Sequence, residues 1–262
     1  MLLHITDKCS MGCPHCIGDY RPDGGHMSKE VFSDALDFIF KTNEIVHIVI
    51  TGGEPTEHPQ FVELMELLFG RSLKYYKPIP SLVTITTNGF WCLDHPDEAR
   101  RIAHGIPSKA IQVEWQVSAD KRYYPTRLDV DNPIFKEERF ALCDDCVTRI
   151  YPQGRAVDNN IPFQAKAPKC FNLRSIVKSV SSDSSIIQSP LSYAVMGLLM
   201  RGYSCTPSIG INGEIKLGES RLCPTCASIY DDIPVIEDKI RKFHCHNCEH
   251  LLSEEMIKYI NS

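Results

Sequence analysis

The chain has 262 residues, 43% of them hydrophobic, so it can bury one large core, and two unrelated domains are not expected. Its net charge is −5 and no run is rich in Lys or Arg, which disfavours nucleic acid and anionic membrane surfaces as partners. The N-terminus lacks a signal-like segment, and no apolar run approaches about 20 residues, so we expect a cytoplasmic protein.

Twelve cysteines are many for an intracellular chain of this length. In a small secreted domain they would indicate disulfides, but in a larger cytoplasmic protein they more often bind metal or do chemistry. Because most of them are clustered, we favour the second interpretation.

Five short runs rich in β-forming residues predict strands. They cover residues 1–6, 45–51, 81–87, 111–117 and 147–152. Helix-like segments lie between the first three runs. Residues 28–43 begin with a cap candidate at Ser28 and place Val31, Ala35, Leu36 and Phe40 on one face, and residues 58–69 repeat the pattern with Phe61, Leu64, Met65 and Leu68. This alternation predicts an α/β fold with a parallel sheet.

Polar and glycine-containing motifs follow each predicted strand. They are the cysteine loop at residues 9–16, GGEPT at 52–56, Asn88-Gly89, SAD at 118–120 and QGR at 153–155. The carboxyl ends of parallel strands share one edge, so the motifs are expected to converge on one cavity. Each motif alone is also compatible with an ordinary turn.

The second half of the chain is harder to interpret. Residues 171–180 could form a sixth strand, 181–190 a loop and 191–202 a helix. Asn212-Gly213 predicts a two-residue hairpin turn, and five cysteines surround it. We therefore divide the chain into residues 1–200 and a small cysteine-rich hairpin module at residues 201–262.

The loop ITDKCSMGCPHC places three thiols at Cys9, Cys13 and Cys16. Thiolates bind soft metals and iron–sulfur clusters, and three protein ligands leave one coordination position free for chemistry. A zinc site completed by His15 or His4 is the alternative.

At these residues the chain resembles the radical S-adenosylmethionine (radical SAM) enzymes. The C-x3-C-x2-C spacing of Cys9, Cys13 and Cys16, with His15 before the last cysteine, resembles the signature of that family, and GGEP at 52–55 resembles its second motif. The resemblance extends over about residues 1–155 and implies a partial (β/α)6 TIM-like barrel.

The resemblance also implies the cofactors. Cys9, Cys13 and Cys16 would hold a [4Fe-4S] cluster whose free iron binds S-adenosylmethionine, and reductive cleavage would give a 5′-deoxyadenosyl radical that abstracts hydrogen from substrate. The residues expected at the cofactor are His15, Gly52, Gly53, Glu54, Pro55, Thr87, Asn88, Ser118, Asp120 and Arg155. Glu54 is expected to meet the methionine amino group. Several of these positions have rival interpretations as turn residues or, for Arg155, as a surface arginine.

Two interpretations of the C-terminal cysteines stay open. CPTC at 223–226 and CHNC at 245–248 fit a zinc ribbon, which leaves Cys205 spare. Alternatively Cys205, Cys223, Cys245 and Cys248 hold one auxiliary [4Fe-4S] cluster, with Gly218 giving a C-x12-G-x4-C pattern that resembles the SPASM and shorter twitch modules of the family. We favour the cluster, because zinc does not explain the hairpin bracketed by Cys205 and Cys223.

Several other residues are given candidate roles. Cys226 and Cys170 are candidate hydrogen donors, although Cys226 could instead be a cluster ligand or a bystander. Cys143 and Cys146 form another C-x2-C pair, which ordinary thiols explain most simply, and Cys92 is expected to be structural. Tyr123, Tyr124 and Arg127 could line a substrate opening. His244, His246 and His250 lie beside the last cysteines and could replace a thiolate there.

The resemblance predicts an oxidoreductase- or epimerase-type enzyme that attacks an unactivated C–H bond of a small polar molecule or a peptide side chain. The expected outcome is oxidation, epimerisation or cross-linking, with an electron donor such as flavodoxin or ferredoxin. The alternatives are a maturase of ribosomally made peptides whose substrate is delivered by a partner, a zinc-ribbon interaction protein, and an activase or RNA-modifying radical enzyme. The acidic composition counts against the RNA-modifying alternative.

Overall fold

The structure, a computed structural model, describes residues 1–42, 47–74, 82–104, 111–120, 122–143, 154–161 and 207–243. The strands are β1 Leu2–Thr6, β2 His47–Gly52, β3 Leu82–Thr87, β4 Gln112–Ser118, β5 Phe140–Cys143, β6 Pro207–Ile209, β7 Glu214–Leu217 and β8 Thr225–Ser228. The helices are α1 Lys29–Thr42, α2 Phe61–Lys74, α3 Phe90–Asp94, α4 Pro96–Ala103, α5 Arg155–Asp158 and α6 Ile233–Lys242. Short 3-10 helices cover Pro55–Glu57 and Pro133–Lys136.

The strands form one sheet in the order β5-β4-β3-β2-β1-β6-β7-β8. All neighbours from β5 to β6 are parallel, whereas β7 is antiparallel to both β6 and β8. The protein therefore has a mixed α/β fold with a large sheet. Its first four predicted strands are confirmed within one or two residues at their ends.

The two faces of the sheet differ in chemistry. Leu3, Ile50, Ile85 and Trp115 stand in register on β1 to β4, and all are fully buried. They share one hydrophobic core with α1 and α2. Because side chains alternate along a strand, the intervening residues lie on the opposite face, and there they are mostly polar. We call this the polar face.

The two predicted helices form largely as expected. The Val31 amide donates to Ser28 Oγ at 3.2 Å, which confirms Ser28 as the cap of α1. Ala35, Leu36 and Phe40 of α1 are buried, and so are Phe61, Leu64, Met65 and Leu68 of α2. Val31 is only partly buried, and Phe32 and Ile39 complete the buried face in its place.

The fifth strand of the sheet lies earlier in the chain than the one predicted. β5 pairs with β4 in parallel, with Trp115 opposite Phe140, and their rings stack with centroids 6.1 Å apart. Residues 147–152 lie outside the described residues, and so do the strand, loop and helix predicted between 171 and 202. The helices α3 and α4 between β3 and β4 were also not predicted.

The turn between β6 and β7 has three residues, 211–213, so the predicted two-residue turn is wrong. The Gly210 amide donates to Glu214 O at 2.9 Å, and the Gly213 amide donates to Gly210 O at 2.9 Å. Gly213 has a φ of +78°, the left-handed geometry that closes such a three-residue turn. The turn consists of Ile211, Asn212 and Gly213, one residue more than predicted.

β6 hydrogen-bonds to β1, so the strands on either side of residue 200 belong to the same sheet. The division of the chain at that residue lies outside the described residues and stays a prediction. Within the described ranges, no helix combines the length and the apolarity needed to cross a membrane.

Candidate active site

The three-cysteine loop follows β1 and is held by backbone hydrogen bonds. The Cys9 amide donates to Arg21 O at 3.0 Å, and the Cys16 amide donates to Cys13 O at 3.2 Å. Gly12 adopts a φ of +67° between the first two cysteines. All three cysteines are half-buried, so the loop presents its thiols from a preformed backbone.

Two of the loop thiols, Cys9 and Cys13, are in an environment that opposes their ionisation. Burial, reinforced by the neighbouring cysteines, raises the pKa of Cys9 to about 11 and that of Cys13 to about 12. The positive charge of Arg155 lowers the pKa of Cys13 and so opposes the effect of burial. Thiolates at Cys9 and Cys13 would therefore be stabilised by a bound cation.

The donor set suits an iron–sulfur cluster. Among the residues that the structure describes, no three Cys, His, Asp or Glu side chains lie close enough to hold a single metal ion. In a [4Fe-4S] cluster each thiolate binds a different iron. His4, a candidate zinc ligand, uses its Nδ1 in a 2.9 Å hydrogen bond with the Tyr20 hydroxyl.

The glycines of the GGEP motif allow β1 and β2 to approach closely at their carboxyl ends. The Gly53 amide donates to Thr6 O at 2.7 Å, and the Glu54 amide donates to Lys8 O at 2.8 Å. A Cβ atom on Gly53 would lie 2.0 Å from Lys8 O, and one on Gly52, which has a φ of +130°, would lie 2.2 Å from Thr6 O. Larger residues would push the motif away from the cysteine loop.

Glu54 ties this motif to the end of β3. Its buried carboxylate accepts hydrogen bonds from Thr56 Oγ1 at 2.6 Å, Thr87 Oγ1 at 2.7 Å and the Asn88 amide at 2.7 Å. Burial raises the pKa of Glu54, and these donors oppose the rise. The carboxylate thus brings Thr87 and Asn88 to the motif, and Pro55 lies buried beside it.

Glu57 was missed by the sequence analysis. Its carboxylate accepts hydrogen bonds from the Ser10 amide and from Ser10 Oγ, both at 2.8 Å. It therefore fixes the first turn of the cysteine loop from the 3-10 helix after GGEP. The only available signal was its position two residues beyond the motif.

A pocket of about 290 Å³, its solvent-open part included, lies beside the loop. Met11, Asn88, Ser118, Asp120, Tyr124 and Arg127 are among its lining residues. The structure thus brings together the loops after β1, β3 and β4. Asp120 is buried and accepts two hydrogen bonds from the Arg122 guanidinium, at 3.0 and 2.8 Å, which lower the pKa of the carboxyl group.

His15 packs against two tyrosines of the loop after β4. Its ring centroid lies 5.2 Å from that of Tyr123 and 5.5 Å from that of Tyr124. Burial lowers the pKa of His15. Its Nδ1 atom is buried and has no hydrogen-bond partner within the described part of the chain.

Arg155 contacts the cysteine loop from a segment far along the chain. Its amide donates to Cys16 O at 3.0 Å, its Nη2 donates to Tyr20 O at 3.0 Å, and its Nε lies 3.6 Å from Asp19 Oδ1. The sequence predicted a role for Arg155 at a cofactor or substrate carboxylate. In the structure its guanidinium group pairs with Asp19, a non-glycine residue with a φ of +48°.

The C-terminal segment binds the same stretch of chain. Ser220 Oγ donates to Ile17 O at 2.9 Å, and Arg221 donates to the carbonyls of Gly18 and, at 2.9 Å, Asp19. We call this set of contacts the latch. Three consecutive carbonyls after Cys16 are thereby bonded to residues immediately before Cys223.

The described C-terminal cysteines lie close to the latch. Cys223 Sγ lies only 2.2 Å from where a Cβ on Gly218 would be, and Gly218 has a φ of +153°. Cys226 on β8 is half-buried, and burial raises its pKa to about 11. Cys92 is fully buried, in line with the structural role expected of it. Cys146, Cys170, Cys205, Cys245, Cys248, His244, His246 and His250 lie outside the described residues.

Residues 3–122 match the protein-family model of the radical SAM superfamily. This range of the chain is similar to a radical SAM domain. The matched range includes the three-cysteine loop, GGEP, Asn88 and Asp120.

Solved structures of radical SAM enzymes share the fold over nearly the whole chain. BtrN in complex with AdoMet and 2-DOIA is similar at a TM-score of 0.58 and 14% identity, over 98% of this chain and 88% of that chain. Native anSMEcpe with bound AdoMet and Cp18Cys peptide is similar at a TM-score of 0.52 and 15% identity, over 96% of this chain and 86% of that chain. A comparison with curated proteins gives no match.

Proposed function

We propose that the protein is a radical SAM enzyme that abstracts hydrogen from an unactivated C–H bond of a small polar molecule. The [4Fe-4S] cluster, held by Cys9, Cys13 and Cys16, would bind S-adenosylmethionine and, when reduced, supply the electron that cleaves it to a 5′-deoxyadenosyl radical. A flavodoxin or ferredoxin would deliver that electron. Oxidation, epimerisation or cross-linking of the substrate would follow.

One observation carries this proposal. The three-cysteine loop and the ends of β3 and β4 line one pocket through Met11, Asn88 and Ser118, and Glu54 of the GGEP motif is hydrogen-bonded to Asn88 at its edge. The loop is bonded to GGEP through the Glu54 amide and to Glu57 through Ser10. Hydrogen bonds between these motifs would not be expected if each motif were an independent surface turn.

The residues of this chain have distinct parts in the proposed reaction. Gly52 and Gly53 let the end of β2 approach the backbone of residues 6–8 that leads into the cysteine loop, and Glu54 orients Thr87 and Asn88. Ser118 and Asn88 present a hydroxyl and an amide to the pocket, which suit the ribose and carboxylate of S-adenosylmethionine. His15, Tyr123 and Tyr124 form an aromatic wall that would exclude water from a reactive intermediate.

The similar structures are compatible with more than one substrate class. BtrN is described with 2-DOIA, and anSMEcpe with a peptide. A maturase of ribosomally made peptides, acting on a substrate delivered by a partner, is therefore the second candidate. The polar face of the sheet favours the small polar molecule.

We further propose that residues 1–200 form a partial (β/α)6 barrel and residues 201–262 a twitch-like module. Cys205, Cys223, Cys245 and Cys248 would hold one auxiliary [4Fe-4S] cluster. The contact of Gly218 with Cys223 supports this assignment, because a side chain on Gly218 would displace the sulfur atom. Cys226 and Cys170 remain the proposed hydrogen donors.

The main test is anaerobic reconstitution with iron and sulfide, followed by reductant and S-adenosylmethionine. The wild-type chain should release 5′-deoxyadenosine, and Cys13→Ala should abolish the product. Cys92→Ala is the matched control, since it removes a buried thiol away from the loop. Unchanged cleavage in Cys13→Ala would show that the loop assignment is wrong.

The auxiliary cluster is tested by counting iron. The wild-type chain should hold about eight irons in two four-iron clusters and Cys223→Ala about four. Cys223→Ala should keep some cleavage of S-adenosylmethionine. An equal iron content in both chains would refute the auxiliary cluster, and stoichiometric zinc in a colourless protein would favour the interaction protein.

A further inference from the structure

One carboxylate next to the cysteine loop is shared by three guanidinium groups. Asp19 lies three residues after the last cysteine of the loop, and its Oδ2 atom accepts hydrogen bonds from Arg21 Nε at 3.1 Å and Arg21 Nη2 at 2.8 Å. Arg221 Nη2 lies 3.7 Å from the same oxygen, and Arg155 Nε lies 3.6 Å from the other oxygen, Oδ1. We call these four residues the arginine group.

The positive charge of Arg155 is only partly neutralised. Asp19 Oδ1 and Arg155 Nε are both buried, and among the residues that the structure describes neither atom has a hydrogen-bond partner. The same carboxylate also holds Arg21, whose pKa is raised by Asp19 and less strongly by Asp23 and Asp158. The Arg155 side chain is 19% exposed, and a charge covered in this way is screened less than one at the surface.

The fold holds this charge against the cysteine loop. Gly154 has a φ of +57°, and a Cβ atom on it would lie 2.4 Å from Cys16 O, so only glycine lets the backbone come this close. The Arg155 amide then donates to Cys16 O at 3.0 Å. Arg155 Nη1 lies 3.9 Å from the Cβ position of Gly12, the residue before Cys13. The guanidinium lowers the pKa of Cys13, so its charge reaches that thiol.

A positive charge at this place changes how readily a cluster on the loop accepts an electron. Reduction adds one negative charge to a [4Fe-4S] cluster, and the charge around the cluster is one of the factors that set its reduction potential. A nearby cation stabilises the reduced form more than the oxidised form, so it raises the potential. One unit charge within about 10 Å, at an effective dielectric constant of about 20, changes the equilibrium constant for reduction about tenfold. That factor corresponds to about 60 mV for one electron.

We propose that Arg155 and Asp19 set the reduction potential of the [4Fe-4S] cluster on the cysteine loop, with Arg155 raising the potential and Asp19 limiting the rise. Neither residue is a ligand of iron in this role. Arg155 acts through its charge, which differs from the pairing with a cofactor or substrate carboxylate that the sequence predicted. This inference rests on the proposed function for the presence of the cluster, and it adds the residues that control its reduction.

The test is a redox titration of the anaerobically reconstituted chain without S-adenosylmethionine, followed by electron paramagnetic resonance. A separate sample with S-adenosylmethionine identifies the signal of this cluster, because that signal changes when the compound binds. Arg155→Gln should lower the midpoint potential by about 60 mV, a tenfold change in the equilibrium constant. Arg155→Lys keeps the charge and should stay within about 20 mV of the wild type. Asp19→Asn should raise the potential, and asparagine tolerates the φ of +48° at this position.

Arg71→Gln is the matched control, because Arg71 is also a largely covered arginine but pairs with Asp37 on α1, and its loss should leave the potential unchanged. An unchanged potential in Arg155→Gln, or equal shifts in Arg155→Gln and Arg155→Lys, would overturn the inference and leave the proposed function standing. If Arg155→Gln does not assemble a cluster, Asp19→Asn decides, and a potential that is not raised overturns the inference. A wild-type chain without a signal that responds to S-adenosylmethionine would refute both.

Discussion

At the scale of single residues, Gly53 shows how the absence of a side chain sets the shape of the site. Its amide bonds to Thr6, and the space for a Cβ is taken by the Lys8 carbonyl at 2.0 Å. The neighbouring atoms are backbone atoms, which cannot rotate away. A glycine is therefore required here by packing, whereas Gly70 in α2 has no atom within 4 Å of its Cβ position.

Gly53→Ala should lower the free energy of unfolding by at least about 2 kcal/mol, because the strand ends must move apart. Gly70→Ala should raise the free energy of unfolding by about 0.5–1 kcal/mol, because alanine has a higher helix propensity than glycine at this solvent-exposed position of α2. Urea denaturation of both variants measures the difference. Equal stabilities would show that the approach of β1 to β2 is not tight in solution.

His4 gives a prediction for the dependence of stability on pH. Burial lowers its pKa from 6.5 to about 4 in the folded chain. In the unfolded chain His4 takes up a proton near pH 6.5, at a higher pH than in the folded chain. The contribution of neutral His4 to stability is therefore complete above pH 6.5 and is lost as the pH falls toward 4. The loss amounts to about 3 kcal/mol.

His4→Asn keeps a hydrogen-bonding group beside the Tyr20 hydroxyl and removes the titrating group. We expect this variant to lose less stability than the wild type as the pH falls from 6.5 to about 4, as measured by denaturant unfolding at several pH values. His95→Asn serves as the control, because His95 is largely exposed. Parallel pH curves for wild type and His4→Asn would contradict the assignment.

At the scale of elements, the cysteine loop is held by partners that are distant in sequence. Glu57 holds its start, Arg155 holds Cys16, and the latch holds the carbonyls of residues 17–19. Local spacing predicted the loop and its thiols but none of these contacts. They depend on tertiary packing between segments as far as 203 residues apart, and a one-dimensional pattern does not contain that information.

The latch predicts a local change when Arg221 is replaced. Arg221→Gln should accelerate amide hydrogen exchange in residues 17–22 about five- to tenfold, since two carbonyls lose a charged donor. Mass spectrometry of peptides spanning that range measures it. Arg241→Gln on the exposed side of α6 is the control. Faster exchange throughout the protein, with no local excess, would argue against a latch.

The elements themselves were predicted to different degrees. β1 to β4, α1 and α2 carry strong apolar patterns, and they were identified. β5 has only four residues, and it is defined by its parallel pairing with β4, which a pattern in four residues does not reveal. The turn at 211–213 was misjudged by one residue, because Asn-Gly is compatible with both turn lengths and the pairing of Gly210 with Glu214 decides between them.

At the scale of the whole molecule, one sheet and one core join the N-terminal and C-terminal parts. Ile209, Ile215, Leu217 and Ile236 belong to the same buried cluster as Leu3. β1 lies in the interior of the sheet only because β6 pairs with it. Sequence composition changes near residue 200, but composition does not reveal that the two parts share strands.

Truncation after residue 200 tests this coupling. We expect the fragment 1–200 to unfold at a lower urea concentration than the full chain, because β1 becomes an edge strand and the core loses the buried side chains contributed by β6, β7 and α6. Circular dichroism follows the transition. A fragment as stable as the full chain would mean that the core divides at the predicted boundary.

The separation of an apolar and a polar face has a consequence for how this protein can diversify. Stability depends mainly on the face packed against α1 and α2, whereas Thr51, Thr86 and Gln116 contribute little buried apolar area. Those three positions can therefore be randomised with little penalty to folding. A combinatorial library of variants at these three positions would allow selection for a different binding specificity while the fold is retained.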